Sequence, residues 1–397
     1  MFKFQNSIFE TGTKAAFAAA LVCLLSVYSE PAFSVEKKGQ TLGFVVTTWN
    51  FALNETRFAD ECPMGMNPGY DEIWWRGLSK DDRAKFTDNG LKSRLDRYQF
   101  AIRRGKNGED VAMNPTSANA PPLLLAQGPA SYGMNLDGTD DGRATAKSCK
   151  HDKYVGLDGT PAVDNQLYRL LGCVYGYQSY GQYQVNANEN RKSNGLGMTL
   201  IEITGVDDLK NDNEVIVNFY RSIDQYTLNG AGGFTAFSSY RIDAANGKPR
   251  YNSSVKGKIV DGVVRTESND VNLPFYGNYT YMNQLIRDMR LHLELSDDGV
   301  SARGMVAGYY GVDQLTFYAC GVGPIASSGF SDCPAIYKAA HEIADGHPDS
   351  EGKCTTLSSA FNFAAVSAFI VHPNADAASA APANPIARLL TALGIGG

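Results

Sequence analysis

The residues best suited to chemistry lie in two aspartate-glycine loops, Asp137–Gly142 and Asp158–Asn165, which stand on either side of Cys149. A hard divalent cation such as calcium binds about six to eight oxygen ligands, which closely spaced Asp and Asn residues supply while Gly lets the backbone turn tightly. The sequence therefore predicts a structural calcium site. Its candidate ligands are Asn135, Asp137, Thr139, Asp140, Asp141, Asp158, Asp164 and Asn165.

The first loop matches the calcium loop of an EF-hand only in part. Asp137, Thr139 and Asp141 fall at the first three ligand positions and Gly142 at the required glycine, but Ser148 stands where an EF-hand has Glu. An EF-hand proper is therefore not predicted. Two interpretations stay open: a calcium site completed from elsewhere in the chain, or Asx-turns without an ion. If calcium is bound, its removal should lower the melting temperature and expose residues 135–165 to protease.

Signals for catalysis are weaker. His341 and Asp345 stand one helical turn apart and could bind zinc, although a surface histidine explains the same pattern. The segment Gly176–Gly181 misses the Gly-x-Ser-x-Gly motif of serine hydrolases by one residue. Carboxylates at strand ends, such as Glu202 and Asp207, could do acid-base work, but sequence spacing does not fix their separation in space. The catalytic residues, if there are any, stay unknown.

Aromatic residues form a second group of candidates. An amphipathic ring can stack on the flat apolar face of a sugar, because it combines contact area with a polar edge. The candidates for ligand binding are Trp74, Trp75, Tyr175, Tyr177 and Tyr180. The alternative is that these rings cover the small core of a loop-rich region.

The first residues have the pattern of an export signal. Lys3 and Lys14 precede an uncharged run from Ala15 to Val27, and small residues near Ser34 suit cleavage. We expect a mature chain that begins near Val35, is soluble after export without a transmembrane anchor, and resides in the periplasm or outside the cell. Its net charge of -6 argues against nucleic acid as a partner.

The cysteines suit an oxidising compartment. Of the seven, Cys23 lies in the uncharged run, and an even number remains. An exported chain with paired cysteines is most simply explained by three disulfides. Closeness in sequence favours the pairs Cys149–Cys173 and Cys333–Cys354, with Cys62–Cys320 left over.

The fold class predicted from the pattern is mainly β with some α: an antiparallel sheet or β-sandwich, a long disulfide-tied loop region and a few peripheral helices. The predicted regions are a signal peptide (1–34), a loop-rich region with the calcium loops (35–195), an antiparallel β region with C-terminal helices (196–372) and a disordered tail (373–397).

Individual elements follow from local patterns. A β-branched and aromatic run predicts a strand over Thr41–Asn50, and alternation predicts another over Leu95–Arg103. Ser79 predicts the cap of a surface helix. Pro334–Asp345 has helical spacing, and Cys354–Phe369 is expected to form a second helix, with a strand as the alternative near its end.

The β region carries the clearest signals. Strands are predicted over 198–204, 215–220, 236–242, 258–265, 290–295 and 305–310. The dipeptides Asn246-Gly247, Asp261-Gly262 and Asp298-Gly299 favour the positive backbone angles of tight hairpins, so the pairing should be antiparallel.

Two segments carry a resemblance. Val163–Arg169 leads into Leu171-Gly-Cys173, and Leu285–Leu291 precedes a hairpin and Gly308-Tyr309. Together with the Cys333-Pro and Cys354 segment, they resemble a group of exported bacterial proteins of unassigned function. The resemblance implies a periplasmic or secreted setting and brings no catalytic residue with it.

The function expected from the sequence is that of an exported, disulfide-stabilised, calcium-binding protein without enzymatic activity. It would present a surface for a saccharide or another component of the cell envelope. The alternative is a secreted hydrolase that uses strand-end carboxylates on a polymeric substrate.

Overall fold

The computed structural model of the chain describes residues 39–55, 58–178, 181–194, 198–277, 280–320 and 329–373. The predicted signal peptide (1–34), the candidate ligand-binding residue Tyr180 and the predicted tail beyond residue 373 lie outside the described residues.

Strands dominate the described chain. They are β1 (Gln40–Phe51), β2 (Ala130–Ser131), β3 (Val155–Gly156), β4 (Thr199–Val206), β5 (Asn211–Arg221), β6 (Ser238–Arg241), β7 (Ala244–Ala245), β8 (Lys248–Pro249), β9 (Asn252–Val260), β10 (Val263–Thr266), β11 (Asn269–Gly277), β12 (Thr280–Leu295), β13 (Ser301–Gly311), β14 (Gly346–Pro348) and β15 (Cys354–Val371).

Helices lie before, between and after these strands. They are α1 (Phe58–Glu61), α2 (Tyr70–Gly77), α3 (Lys80–Asp88), α4 (Arg94–Ala101), α5 (Gln166–Leu171), α6 (Gln182–Asn194), α7 (Val312–Cys320) and α8 (Cys333–Glu342).

Eight antiparallel strands form a closed barrel in the order β1, β4, β5, β9, β10, β12, β13 and β15. The sheet closes because β15 pairs with β1, from Phe44 opposite Ser367 to Phe51 opposite Phe361. The predicted mainly β, antiparallel class is confirmed. The predicted β-sandwich is wrong, because the sheet closes on itself instead of dividing into two packed sheets.

The main hydrophobic cluster collects alternate residues of the barrel strands, such as Ile201 and Ile203 of β4 and Val215 and Val217 of β5. Successive strand residues face opposite sides of a sheet, so the residues between them face the other side of the wall. Helices α5, α7 and α8 add apolar side chains to the same cluster.

The hairpin predictions are confirmed. Asp261 and Gly262 both have positive φ (52° and 78°), and Val260 pairs with Val263 across the turn. Asn246-Gly247 connects β7 and β8, and Asp298-Gly299 connects β12 and β13. The strands predicted over 198–310 are present, with the bounds given above, and the predicted helix near Pro334 is α8.

Two predicted elements are wrong. The strand predicted over Leu95–Arg103 is replaced by helix α4 (Arg94–Ala101), because Ser93 and Asp96 make a capping box that stabilises its first turn. Residues 354–369 form strand β15 rather than a helix. This segment lies between β1 and β13 and pairs with both, so tertiary pairing overrides its local preference.

All six cysteines of the described chain form disulfides, but the predicted partners are wrong. The bonds are Cys62–Cys173, Cys149–Cys354 and Cys320–Cys333. Cys320 and Cys333 are only 13 positions apart and do pair, whereas β15 returns beside the loop region and brings Cys354 next to Cys149, 205 positions away. The long loop region is confirmed: between α4 and α5 it contains β2, β3 and short 3-10 turns.

Candidate functional site

Part of the loop segment 130–165 packs on the barrel wall, on the side opposite the main hydrophobic cluster, although Tyr154 and Val163 of the same segment belong to that cluster. In β13, Tyr310 belongs to that cluster, whereas Tyr309 belongs to a second cluster with Met134 and Leu136 of the loop. Because neighbouring strand residues point to opposite faces, the loop covers the outer face of β13.

Five charged or ionisable side chains meet beneath this loop. We call Asp137, His151, Lys153, Asp164 and Asp345 the acid-histidine-lysine cluster. The exposed fraction of each side chain is 7% or less, so water screens their charges weakly. Four members come from the loop, and Asp345 lies just before β14.

Lys153 lies at the centre of the acid-histidine-lysine cluster. Its Nζ is 2.6 Å from Asp137 Oδ1 and 2.6 Å from Asp164 Oδ1. Burial by itself would raise the pKa of Asp137, but the hydrogen bonds from Lys153 and the Thr139 N–H outweigh burial and lower it. The ammonium group therefore neutralises two carboxylates that would otherwise repel each other.

His151 is held as an imidazolium. Its Nδ1 lies 2.8 Å from the Cys149 carbonyl oxygen and its Nε2 lies 2.7 Å from Asp164 Oδ1, so both ring nitrogens donate to acceptors. Burial by itself would lower the pKa of His151, but the Asp164 hydrogen bond and the Asp345 charge raise it to about 9.

Backbone contacts connect the acid-histidine-lysine cluster to the loop and to the barrel. The Leu136 N–H donates to Asp164 Oδ2 at 2.7 Å, and the Ser358 N–H of β15 donates to Asp345 Oδ1 at 2.7 Å. The disulfide between Cys149 and Cys354 joins the same two parts. The cluster thus fixes the loop against the barrel wall.

Two buried oxygens beside the acid-histidine-lysine cluster have no hydrogen-bond partner among the described residues: Asp345 Oδ2 and the Tyr309 hydroxyl. Asp345 Oδ2 lies 3.9 Å from His151 Nε2. Burial raises the pKa of Asp345 to about 6, although His151 and the Ser358 hydrogen bond oppose the shift. Burial, and then the charges of Asp345 and Asp164, raise the pKa of Tyr309.

Asp137, His151 and Asp164 could together hold a metal ion, because their ligand atoms lie within 4.8 Å of one another. The donor set combines carboxylates with an imidazole, which suits zinc or another transition metal better than calcium. Lys153 already lies at hydrogen-bond distance from both carboxylates, so an ion would compete with the ammonium group for the same oxygens.

The predicted calcium ligands divide into three groups. Asp137 and Asp164 meet in the acid-histidine-lysine cluster. Three others shape the nearby backbone: Asn135 Oδ1 accepts from the Gly138 N–H, Thr139 donates to Asp137, and Asn165 caps α5 through the Tyr168 N–H. The remaining three, Asp140, Asp141 and Asp158, are exposed to solvent.

Sequence reasoning missed His151 and Lys153 and assigned Asp345 to a different site. The structure pairs His341 with Asp313 at 3.2 Å, whereas Asp345 faces His151. The sequence did contain a signal for these two residues: His151 and Lys153 follow the first aspartate loop at alternate positions, so both can face the same side. Glu202 was a candidate for acid-base work at a strand end, and its Oε1 lies 2.7 Å from His372 Nε2.

The candidate aromatic residues have different environments. The ring of Trp74 packs against Trp75, Phe86 and Phe100, with centroid distances of 5.3 to 5.9 Å, and so belongs to a small core of α2, α3 and α4. Tyr177 is fully buried and therefore does not meet a ligand at the surface. Its hydroxyl donates to the Ala319 carbonyl oxygen. Tyr175 is half exposed.

A cleft of about 450 Å³ lies where β1 leaves the barrel, between α6 and the loop. Carboxamides supply half of its lining residues, and they share the cleft with apolar side chains, a tyrosine and a single acid. The lining residues are Asn50, Asn54, Gln184, Asn188, Asn362, Phe51, Leu53, Val185, Tyr132 and Glu55. Its volume lies within the usual range for small-molecule sites.

The carboxamides of α6 bind the part of β1 that does not pair with β4. β1 pairs with β4 only as far as Val45, so its later N–H groups on that edge need other acceptors. Asn188 Oδ1 accepts from the Trp49 N–H and Gln184 Oε1 accepts from the Phe51 N–H, both at 3.0 Å. Helix α6 thus replaces a neighbouring strand and forms one wall of the cleft.

Comparisons of the chain with family models, with curated proteins and with solved structures found no match. Among the described residues, no helix is long and apolar enough to cross a membrane.

Proposed function

We propose that the chain is an exported, non-enzymatic binding protein whose carboxamide-lined cleft takes a saccharide, either free or as part of the cell envelope. The lining of the cleft carries this proposal. A carboxamide offers both donors and an acceptor, and hydroxyl-rich ligands need both. Tyr132 adds a ring for the apolar face of a sugar.

The charge of the cleft favours a neutral ligand. Glu55 is the only charged residue among those that line it. An anionic polymer would meet the like charge of Glu55, whereas a neutral saccharide needs only hydrogen bonds and apolar contact. Export is supported by the three disulfides, because such bonds persist in oxidising compartments.

Calcium in the acid-histidine-lysine cluster stays a prediction. The meeting of Asp137 and Asp164 supports it, but calcium prefers oxygen ligands to an imidazole. Lys153 lies at 2.6 Å from both carboxylates. We infer that Lys153 supplies from within the chain the positive charge that the sequence assigns to calcium. The role of the cluster is then structural: it holds the loop that carries Tyr132.

The experiment is isothermal titration with a panel of neutral oligosaccharides, including cellohexaose and laminarihexaose. Val185 is 48% exposed at the wall of the cleft, so Val185→Arg should block binding without unfolding the protein. The matched control is Val155→Arg, which changes a valine that is 51% exposed on β3 and does not line the cleft. Absence of binding to every member of the panel would contradict the proposal.

The hydrolase alternative has one observation in its favour. Thr356 Oγ1 lies 3.0 Å from His347 Nδ1, and His347 Nε2 lies 3.1 Å from Asp288 Oδ2, which resembles a hydroxyl-imidazole-carboxylate relay. Thr356 is only 4% exposed and does not line the cleft, so a polymeric substrate has no route to its hydroxyl. Binding without turnover is the better supported function.

A further inference from the structure

This inference rests on the proposed saccharide binding and concerns which saccharides are taken. We propose that Asn362 recognises a vicinal diol, so that the cleft selects neutral saccharides whose internal residues keep two adjacent free hydroxyls. Some carboxamides of the cleft are already hydrogen-bonded within the protein, and Asn362 is left for a ligand.

The carboxamides on α6 are engaged by the protein. Gln184 accepts from the Phe51 N–H and donates to the Tyr177 carbonyl oxygen at 2.5 Å, so both ends of its amide have partners. Asn188 accepts from the Trp49 N–H and donates to Asn50 Oδ1 at 2.6 Å. These side chains keep the cleft in shape and have little capacity left for a ligand.

The carboxamide of Asn362, in contrast to those of α6, is available to a ligand. It lines the cleft, it is only partly buried, and it makes no side-chain hydrogen bond to another described residue. Asn50 uses its Oδ1 but keeps its Nδ2 group without a partner among the described residues. The free groups of the cleft are therefore the donor of Asn50 and both ends of the amide of Asn362.

The backbone places these free groups side by side. Asn50 of β1 is directly opposite Asn362 of β15 in the antiparallel ladder. Directly opposed residues point to the same face, with Cβ atoms about 5 Å apart. Both carboxamides thus project into the cleft from the same wall.

A vicinal diol is the complement of one free carboxamide. One hydroxyl donates to the carbonyl oxygen and its neighbour accepts from the NH₂ group, so a planar amide and two adjacent hydroxyls form two hydrogen bonds together. The second donor, on Asn50, can reach a further oxygen of the same ring. Val185 and Tyr132 then meet the apolar part of the sugar.

Two glucan oligomers separate this inference from the broader proposal. In cellohexaose each internal residue keeps adjacent free hydroxyls at carbons 2 and 3. In laminarihexaose the linkage occupies the oxygen at carbon 3, so only the terminal residues keep a vicinal pair. Titration of the wild-type protein should give about tenfold tighter binding of cellohexaose, since two neutral hydrogen bonds separate the two ligands.

The variant Asn362→Leu keeps about the size of the side chain but removes both the donor and the acceptor, so neither hydroxyl of a diol keeps its partner. It should weaken cellohexaose binding about tenfold and remove the preference over laminarihexaose. The control Asn119→Leu changes an exposed carboxamide in a different cleft and should leave both affinities unchanged.

Equal or tighter binding of laminarihexaose by the wild type would overturn the vicinal-diol inference and leave saccharide binding standing. An unchanged preference in Asn362→Leu would overturn the role of Asn362. If neither oligomer nor any other neutral saccharide binds, the proposed function fails together with the inference.

Discussion

The acid-histidine-lysine cluster and the carboxamide cleft are both built where the loop segment 130–165 meets the barrel, yet their polar groups are used differently. In the cluster nearly every charged atom contacts another residue, and water is excluded. In the cleft the carboxamide of Asn362 has no partner among the described residues and reaches solvent. The charged residues therefore stabilise the loop, and the neutral ones are left for a ligand.

Removing one carboxylate tests the structural role of the acid-histidine-lysine cluster most directly. Asp164→Ala removes the carboxylate that contacts both Lys153 and His151 at 2.6 and 2.7 Å and leaves these two buried cations poorly paired, so we expect a loss of about 3 to 5 kcal/mol in the free energy of unfolding. Urea denaturation measures it. The control Asp158→Ala removes an exposed aspartate of the second loop and should cost about 0.5 kcal/mol or less.

Equal effects of Asp164→Ala and Asp158→Ala would contradict a structural role for the acid-histidine-lysine cluster. A large effect of Asp158→Ala that depends on added calcium would instead favour an ion shared by the two aspartate loops.

The second prediction concerns pH. The pKa of His151 is about 9 in the folded protein, against 6.5 for an ordinary histidine. Because the folded state keeps the proton longer, the stabilisation is complete below pH 6.5 and is lost as the pH rises to 9. The expected loss is on the order of 3 kcal/mol.

Urea denaturation at pH 6.5 and pH 9 measures this loss as the difference between the wild type and His151→Gln. The control His341→Gln changes a histidine that faces Asp313 at the surface of α8 and should keep the wild-type pH dependence. If the difference in stability between the wild type and His151→Gln is the same at pH 9 as at pH 6.5, the ion pair is contradicted.

The third prediction concerns the cation. In the wild type a chelator titration should leave the melting temperature unchanged, because Lys153 neutralises Asp137 and Asp164. Lys153→Met should lower stability and make it depend on calcium, with about 2.7 kcal/mol regained at a concentration one hundred times Kd. Lys153→Arg keeps the charge and should gain no calcium dependence. A wild-type melting temperature that falls with chelator would restore the calcium prediction.

Local signals in the sequence predicted the elements that local chemistry decides. The turn at Asp261-Gly262 and the cap at Ser79 form as expected, because each depends on a few adjacent residues. Strand β15 was taken for a helix, because it pairs with residues 45 to 65 positions away in β13 and 310 to 323 positions away in β1. The partner of Cys149 was wrong for the same reason, since the return of β15 brings Cys354 beside it.

The candidate site was predicted only at its loop side. Asp137 and Asp164 were identified because oxygen-rich loops have a recognisable composition. His151 and Lys153 were missed because a basic side chain that pairs with buried carboxylates has no sequence motif. The cleft was not predicted at all: Asn50 and Asn362 are 312 positions apart and meet only through the strand pairing that closes the barrel.

The smallest effect on stability is expected for a substitution in the cleft. Asn362→Ala should change the free energy of unfolding by about 0.5 kcal/mol or less, because the side chain has no protein partner to lose. Urea denaturation at one pH measures this. The matched variant Gln184→Ala removes the acceptor of the Phe51 N–H and leaves that buried group unpaired, which should cost about 1 to 3 kcal/mol. If Asn362→Ala proves as costly as Gln184→Ala, Asn362 supports the fold, and the distinction between a structural cluster and a cleft with free groups disappears.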